Sequence, residues 1–244
     1  MAEVQRRERV SVHELSRLLE VSTVTIRSDL EQLRLQGQIR RTRGGATKPL
    51  LHQMEQPLEQ NRKQNLLAKR HIAEAAAKRI ENGDVIFVDV GSTTSEMVRF
   101  ISTKLEDVTV ITNGLNIALE LERLANLTIV VTGGTLRTLQ HSLVNPLGME
   151  MLKYLHPNKV FLGCNGVSVV GGITNSNLPE AEIKHEVVKR AKWVYVLADH
   201  SKLGQVHPAT IASLDQVTTL ISDNKADPDE VLMLKQAGLN FQLV

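Results

Sequence analysis

From residue 85 to the end, seven short runs of Val, Ile and Leu constrain the fold more than any other feature. They are VIFVDV, VTVITN, LTIVVTGG, KVFLGC, WVYVLAD, TTLISD and the final FQLV. A strand with one wet face alternates apolar and polar residues. Runs that are apolar at nearly every position belong to strands covered on both faces. Segments at 94–104, 114–125, 147–155, 180–192 and 228–237 read as helices between many of these runs, and LLAKRHIAEAAAKRI leads in from Leu66. Strands joined by helices imply an α/β fold with a mostly parallel sheet.

The first fifty residues follow other rules. In VSTVTIRSDL, residues 21–30, a stripe of Ile26, Leu30 and then Leu33 has helical spacing and packs on a core. Around it stand Ser22, Thr23, Thr25, Arg27 and Ser28. Glu and Lys would make a better helix there, so short hydroxyls beside one arginine suit contact rather than solubility. SVHE is a capping box that opens a preceding helix through Leu15, Leu18 and Leu19. Ser22 caps the second helix, which ends at Gly37. QIRRTRGG then reads as a short two-stranded basic ribbon closing on Gly44 and Gly45. Residues 47–65 are polar and turn-prone, as a linker is. The expected division is 1–46, 47–65 and 66–244.

A helix-turn-helix lays the N-terminal residues of its second helix against base edges. Small hydroxyls at 22, 23, 25 and 28 permit close approach to the groove, and Arg27 offers a two-pronged donor to guanine or phosphate. Arg40, Arg41 and Arg43 on the ribbon would reach the flanking backbone or minor groove. Residues 1–50 hold ten Lys and Arg against six Asp and Glu, while the remainder holds nineteen against twenty-one. A basic module attached to a near-neutral body fits a polyanion partner, here double-stranded DNA. Aromatics are only 3% of the chain, too few for a single-strand stacking platform.

In an open parallel sheet, ligands bind beyond the carboxyl ends of the strands. DVGSTTSEM puts Asp89, Gly91, Ser92, Thr93 and Thr94 at such a position, where open backbone donors and hydroxyls suit an anion. ITNGLN ends on Asn113, and VTGGTLR supplies Gly133, Gly134 and Arg137. Each glycine loop alone is explained by a tight turn; three at equivalent strand ends favour a small polar anion. Glu180 and Lys184 share one helix face at i, i+4 spacing. ADHSKLG places Asp199 and Lys202 just past another strand.

A single cysteine, Cys164, excludes an internal disulfide and any multi-cysteine zinc site. Eight scattered histidines show no metal-ligand spacing, so neither a metal nor a cofactor is expected. No apolar run nears the roughly 20 residues of a membrane span, and the start carries no signal-like segment. A cytoplasmic protein without a membrane partner is expected.

The stretch VSVHELSRLLEVSTVTIRSDLEQLRLQGQIRRTRGGA resembles the winged helix-turn-helix of the DeoR family of bacterial transcriptional repressors. Such domains carry a full first helix before VSV; here Ala2 to Arg9 offer a short one. Ser28 stands where the family often has another arginine. The body resembles the family's sugar-phosphate-sensing domain, through GSTT, TNGLNIA, TGG.LR, LGCNGV and ADHSK in that order. That domain is related in fold to ribose-5-phosphate isomerase and to the CoA-transferase-like proteins. The resemblance implies an effector pocket lined by Asp89, Gly91, Ser92, Thr93, Thr94, Asn113, Gly133, Gly134, Glu180, Asp199 and Lys202. It further implies a repressor of a sugar-utilisation operon, relieved by a phosphorylated sugar and acting as a homodimer or homotetramer. The related isomerases have an Asp-rich segment where this chain has GCNGV, and Asn165 cannot serve as a carboxylate base. A non-enzymatic sensor is therefore expected; the alternative is a sugar-phosphate isomerase or deaminase carrying a DNA-binding head.

Overall fold

The computed structural model describes residues 9–35, 40–42, 44–47 and 55–244. The chain divides into two compact units, Met1–Gln56 and Pro57–Val244.

In the first unit, strand β1 (Arg9–Ser11) runs directly into helix α1 (Val12–Leu19), and helix α2 (Thr23–Leu35) follows. The expected capping box is formed: the Glu14 N–H donates to Ser11 Oγ (3.1 Å), and the Ser11 N–H donates to Glu14 Oε2 (2.8 Å). Strands β2 (Arg40–Thr42) and β3 (Gly45–Thr47) make the wing. The expected two-stranded ribbon is in fact three-stranded, in the order β1-β3-β2 and antiparallel. Gly45 permits this, because a Cβ there would lie 2.1 Å from the Val10 carbonyl oxygen. Gly44 supplies the turn, with φ at +83°. Val10, Val12, Leu15, Ile26, Leu30 and Ala46 form the core, with Leu33 packed against it. Helix α1 runs through Leu15, Leu18 and Leu19 as expected, with Leu15 buried and Leu18 and Leu19 more than half exposed. Arg9 belongs to β1 and not to a leading helix; the rest of that expected helix, like Arg43, lies outside the described residues.

The second unit opens with helix α3 (Leu58–Lys63) and helix α4 (Leu66–Ala77). The sequence placed a linker over 47–65, but α3 falls within it. One buried apolar residue, Leu58, anchors α3 amid polar neighbours, and its N–H donates to the Leu139 carbonyl (3.0 Å). Then come β4 (Val85–Val88), α5 (Ser92–Met97), β5 (Val108–Thr112), α6 (Leu115–Leu121), β6 (Leu127–Val131), β7 (Thr135–Arg137), β8 (Ser142–Val144), α7 (Leu147–Leu152) and β9 (Lys159–Gly163). The chain ends through β10 (Gly166–Ser168), β11 (Gly172–Asn175), α8 (Leu178–Val188), β12 (Trp193–Leu197), β13 (Ala209–Ala212), β14 (Thr219–Ser222), α9 (Pro228–Gln236) and β15 (Phe241–Leu243).

The seven apolar runs all enter one sheet, parallel throughout, in the order β15-β14-β12-β9-β4-β5-β6. Successive residues feed opposite faces, as the pleat requires. Phe87, Val160, Leu162, Val194 and Val196 pack on one side with Ile183 and Val187 of α8. Ile86, Val88, Phe161, Tyr195 and Leu197 pack on the other with Ile72, Ala73 and Ala76 of α4. Short antiparallel pieces, β7 with β8 and β10-β11-β13, complete the unit. The helix expected at 94–104 ends at Met97 and passes into one 3₁₀ turn, Val98–Phe100.

Candidate functional site

Two surfaces stand out, one in each unit. In the first, Ser22 Oγ accepts the Thr25 N–H (3.1 Å) and meets Thr25 Oγ1 at 2.9 Å, capping α2. Thr23 is half-buried. Arg27 and Ser28 are exposed, and no partner holds either side chain among the described residues. Sequence reasoning passed over Val24, which is 74% exposed on the same turn. An isolated apolar side chain among hydroxyls is the signal that could have found it. Arg40 and Arg41 lie on β2.

The second surface is the carboxyl edge of the parallel sheet. Asp89 follows β4 directly and is 0% exposed. Its Oδ2 takes the Lys184 ammonium (2.8 Å) and the Gly163 N–H (3.1 Å), while Oδ1, equally buried, has no hydrogen-bond partner among the described residues. Burial pushes its carboxyl up to about 6, against the pull of Lys184. Lys184 also donates to the Gly163 carbonyl (2.9 Å) and Asn175 Oδ1 (3.3 Å). Burial works to lower the Lys184 ammonium, but Asp89 and Glu180 outweigh it and hold the lysine charged. One turn earlier on α8, Glu180 accepts from Ser142 Oγ (2.6 Å), from Asn175 Nδ2 (3.4 Å) and from Arg137.

Past β12, Asp199 Oδ1 accepts from the Ser201 N–H (3.0 Å), Ser201 Oγ (2.6 Å) and Asn65 Nδ2 (2.9 Å). Its Oδ2 lies 4.0 Å from the Lys69 ammonium. Burial alone would raise the Asp199 carboxyl, yet the Ser201 hydroxyl and the Lys202 charge bring it below the usual range. Lys202 itself is half-buried, and its ammonium makes no hydrogen bond or ion pair among the described residues. Between the two clusters sits Cys164, close enough to feel Lys184, Lys202, Asp199 and Asp89. Burial pushes its thiol up to about 12, so it stays protonated and unreactive.

The loop after β4 runs from Asp89 to Gly91 and leads directly into α5. Gly91 caps α5 with no side-chain bond to the first turn, so neither Ser92 nor Thr93 serves as an ordinary N-cap. Their hydroxyls have no protein partner among the described residues, whereas Thr94 Oγ1 turns back to the Gly91 carbonyl (3.1 Å). Asn113 braces the loop: its Oδ1 accepts the Val90 N–H (3.2 Å), and its Nδ2 donates to the Leu143 carbonyl (3.4 Å). Gly133 and Gly134 answer to chain geometry, with φ at +69° and +118°. A Cβ on Gly134 would meet the Val144 carbonyl oxygen at 2.1 Å.

The edge thus gathers Asp89, Glu180, Lys184 and Arg137 into one cluster and Asp199 and Lys202 into another. Sequence reasoning missed Asn65, Lys69, Ser142 and Asn175. Lys69 was legible: it lies at i−3, i−4 and i−7 from Ile72, Ala73 and Ala76, inside the apolar stripe of α4. Asn165 is a loop brace, its Oδ1 accepting the Ser176 N–H (2.9 Å) and Oγ (3.0 Å).

Residues 1–49 match the DeoR-like helix-turn-helix domain, and residues 64–224 match the DeoR C terminal sensor domain. The chain belongs to the DeoR family. It is 34% identical over 241 residues to the HTH-type transcriptional regulator YulB of Bacillus subtilis (strain 168), covering 99% of this chain and 93% of that one. A putative aga operon transcriptional repressor of Escherichia coli O157:H7 is 32% identical, over 96% of this chain and 88% of its own length. Among solved structures, a probable sor operon regulator from Shigella flexneri has the same fold, with a TM-score of 0.50. It is 9% identical, over 70% of this chain and 89% of its own. This DeoR-family chain is a DNA-binding transcriptional regulator, and no helix among its described residues is long and apolar enough to cross a membrane.

Proposed function

We propose that this regulator represses a sugar-utilisation operon and releases its operator when a phosphorylated sugar binds the carboxyl edge of the sheet. The observation that carries this reading is the distribution of charge at that edge. Asp89, Glu180 and Asp199 are each engaged by cations or hydrogen-bond donors of the protein, and Lys184 and Arg137 are each matched to a carboxylate. The Lys202 charge acts on Asp199, but its ammonium makes no hydrogen bond or ion pair among the described residues, nor do the hydroxyls of Ser92 and Thr93. A lysine acting as a point charge beside hydroxyl and backbone donors suits one phosphoryl group.

The same charge pairing argues against catalysis. Aldose–ketose isomerisation needs a base that reaches a substrate proton. The Asp89 carboxyl, at about 6, has the right basicity for one. Its Oδ2 is occupied by Lys184 and its Oδ1 is wholly buried, so the reading of a sensor is preferred. In the head, Arg27 would read guanine or phosphate, Val24 a thymine methyl, and Ser22, Thr23, Thr25 and Ser28 would line the approach. Arg40, Arg41 and Arg43 would hold flanking DNA. Two half-sites would call for a homodimer or homotetramer.

Fluorescence anisotropy on the protein's own upstream intergenic DNA, with and without sugar phosphates, tests the proposal. Salt-sensitive binding that one compound weakens is the expected result. Turnover of a pentose or hexosamine phosphate by the pure protein would replace it with the enzyme reading.

A further inference from the structure

Lys69 is a buried lysine that neither DNA recognition nor anion binding uses. It lies on α4 at 3% exposure, among residues that face the core. A lysine so placed is costly unless every N–H has a partner. Two partners are carbonyls at the end of α3: Asn61 O at 2.5 Å and Gln64 O at 2.7 Å. The Asn61 carbonyl also accepts the Gln64 N–H (3.2 Å), and both carbonyls stand at a helix C-terminus, where a cation is favoured. The remaining direction faces Asp199 Oδ2 at 4.0 Å. Asn65, between the two helices, donates to the other oxygen of the same carboxylate (2.9 Å).

The joint between α3 and α4 is therefore tied twice to Asp199, the residue that opens the 3₁₀ turn carrying Lys202. Other ties hold α3 without touching that edge: Leu58 is buried, and Arg62 reaches Glu96 at 3.8 Å. One carboxylate serves two lysines. Burial lowers the Lys69 ammonium, Asp199 raises it and Lys202 lowers it again, so the two lysines compete.

We propose that Lys69 is a positioning residue that couples the charge state around Lys202 to the closure of α3. The coupling rests on reading this edge as the effector site. An anion at Lys202 neutralises the competing charge and leaves Asp199 to Lys69. The ammonium is then held more firmly against Asn61 O and Gln64 O, and α3 tightens. In the covalent order of the chain, α3 is the first described helix after the head. A change in its closure therefore acts on the chain that joins sensing to DNA binding.

Hydrogen exchange of peptides covering residues 57–70 tests the coupling in the full chain. A first arm needs no ligand. Lys202→Met should slow exchange there about tenfold, the scale of ordinary allosteric coupling. The slowing should vanish when Lys69→Met or Asn65→Gly is already present. Asn65→Gly guards against misfolding, because glycine accepts the φ of +50° that Asn65 adopts. Unchanged exchange in Lys202→Met overturns the coupling, as does slowing that persists in both double variants.

A second arm uses ribose 5-phosphate and fructose 6-phosphate, with thermal shift as the binding readout. Wild type should show a shift and slower exchange, and Lys69→Met the shift alone. Equal slowing in Lys69→Met overturns the coupling while leaving the anion site intact. Absence of any shift in wild type rejects the site as a sugar-phosphate pocket, and the first arm still decides the coupling.

Discussion

Asp89 and Arg27 carry the most at the scale of single residues, and for opposite reasons. Asp89 is valuable because it is buried. Its carboxyl titrates at about 6 in the fold against an ordinary 3.8, so between those values the folded state binds the extra proton. Stability from this group is therefore full below about pH 4 and is lost as pH rises through 6, by roughly 3 kcal/mol at most. Urea titrations at pH 4 and pH 7 should show wild type losing stability relative to Asp89→Asn across that interval. A constant difference between the two proteins would mean that the carboxyl does not titrate there. Arg27 is valuable because it is exposed, with no partner for its side chain among the described residues. Arg27→Ala should weaken operator binding by roughly 1–3 kcal/mol, as one lost bidentate contact does, and should relax preference at one base pair. Anisotropy on the operator and on a one-base variant measures both effects. Equal affinity for mutant and wild type would remove Arg27 from recognition.

Elements show which physics can be read from a sequence. The capping box of α1 was legible because its two bonds are local, three residues apart. Ser11→Ala should cost the head about 1 kcal/mol. In a unit this small that is a fall of about 4–8 °C in its melting temperature, readable by circular dichroism. The seven strands of the sheet were equally legible, since burial on both faces leaves an apolar run that no surface segment imitates. Three strands of the antiparallel pieces, β7, β8 and β10, have only three residues each, too few to set a period against turn residues. Helix α3 was hidden because one leucine, Leu58, does the anchoring that an apolar stripe does elsewhere. The site followed the same division. Loops at strand ends announced themselves through glycine and hydroxyl composition. The pairing of Asp89 with Lys184 joins elements far apart in the chain, and no local pattern encodes it. Lys69 needed only the apolar stripe of α4 to be read as a burial prediction for every residue on it.

For the whole molecule, the two units differ greatly in how much apolar surface they bury. The head core rests on Val10, Val12, Leu15, Ile26, Leu30 and Ala46. The sensor unit has a core on each face of a seven-stranded sheet. Domains of about 60 residues bury only around 60% of the surface that their unfolded chain exposes, so the head is the marginal unit. Calorimetry of the full chain should then show two transitions, the head melting first. A ligand stabilises only the unit whose folded form binds it, by about 2.7 kcal/mol at a hundredfold excess over its Kd. Operator DNA should raise the lower transition, and a sugar phosphate the upper one. The coupling through Lys69 adds a third expectation: with both ligands present, the two shifts should fall short of their separate values. Each ligand would then oppose the state that the other selects, to the same extent in both directions. Fully independent shifts would mean that the effector is sensed without being reported to the head. A single transition moved by either ligand would mean that the units melt as one body.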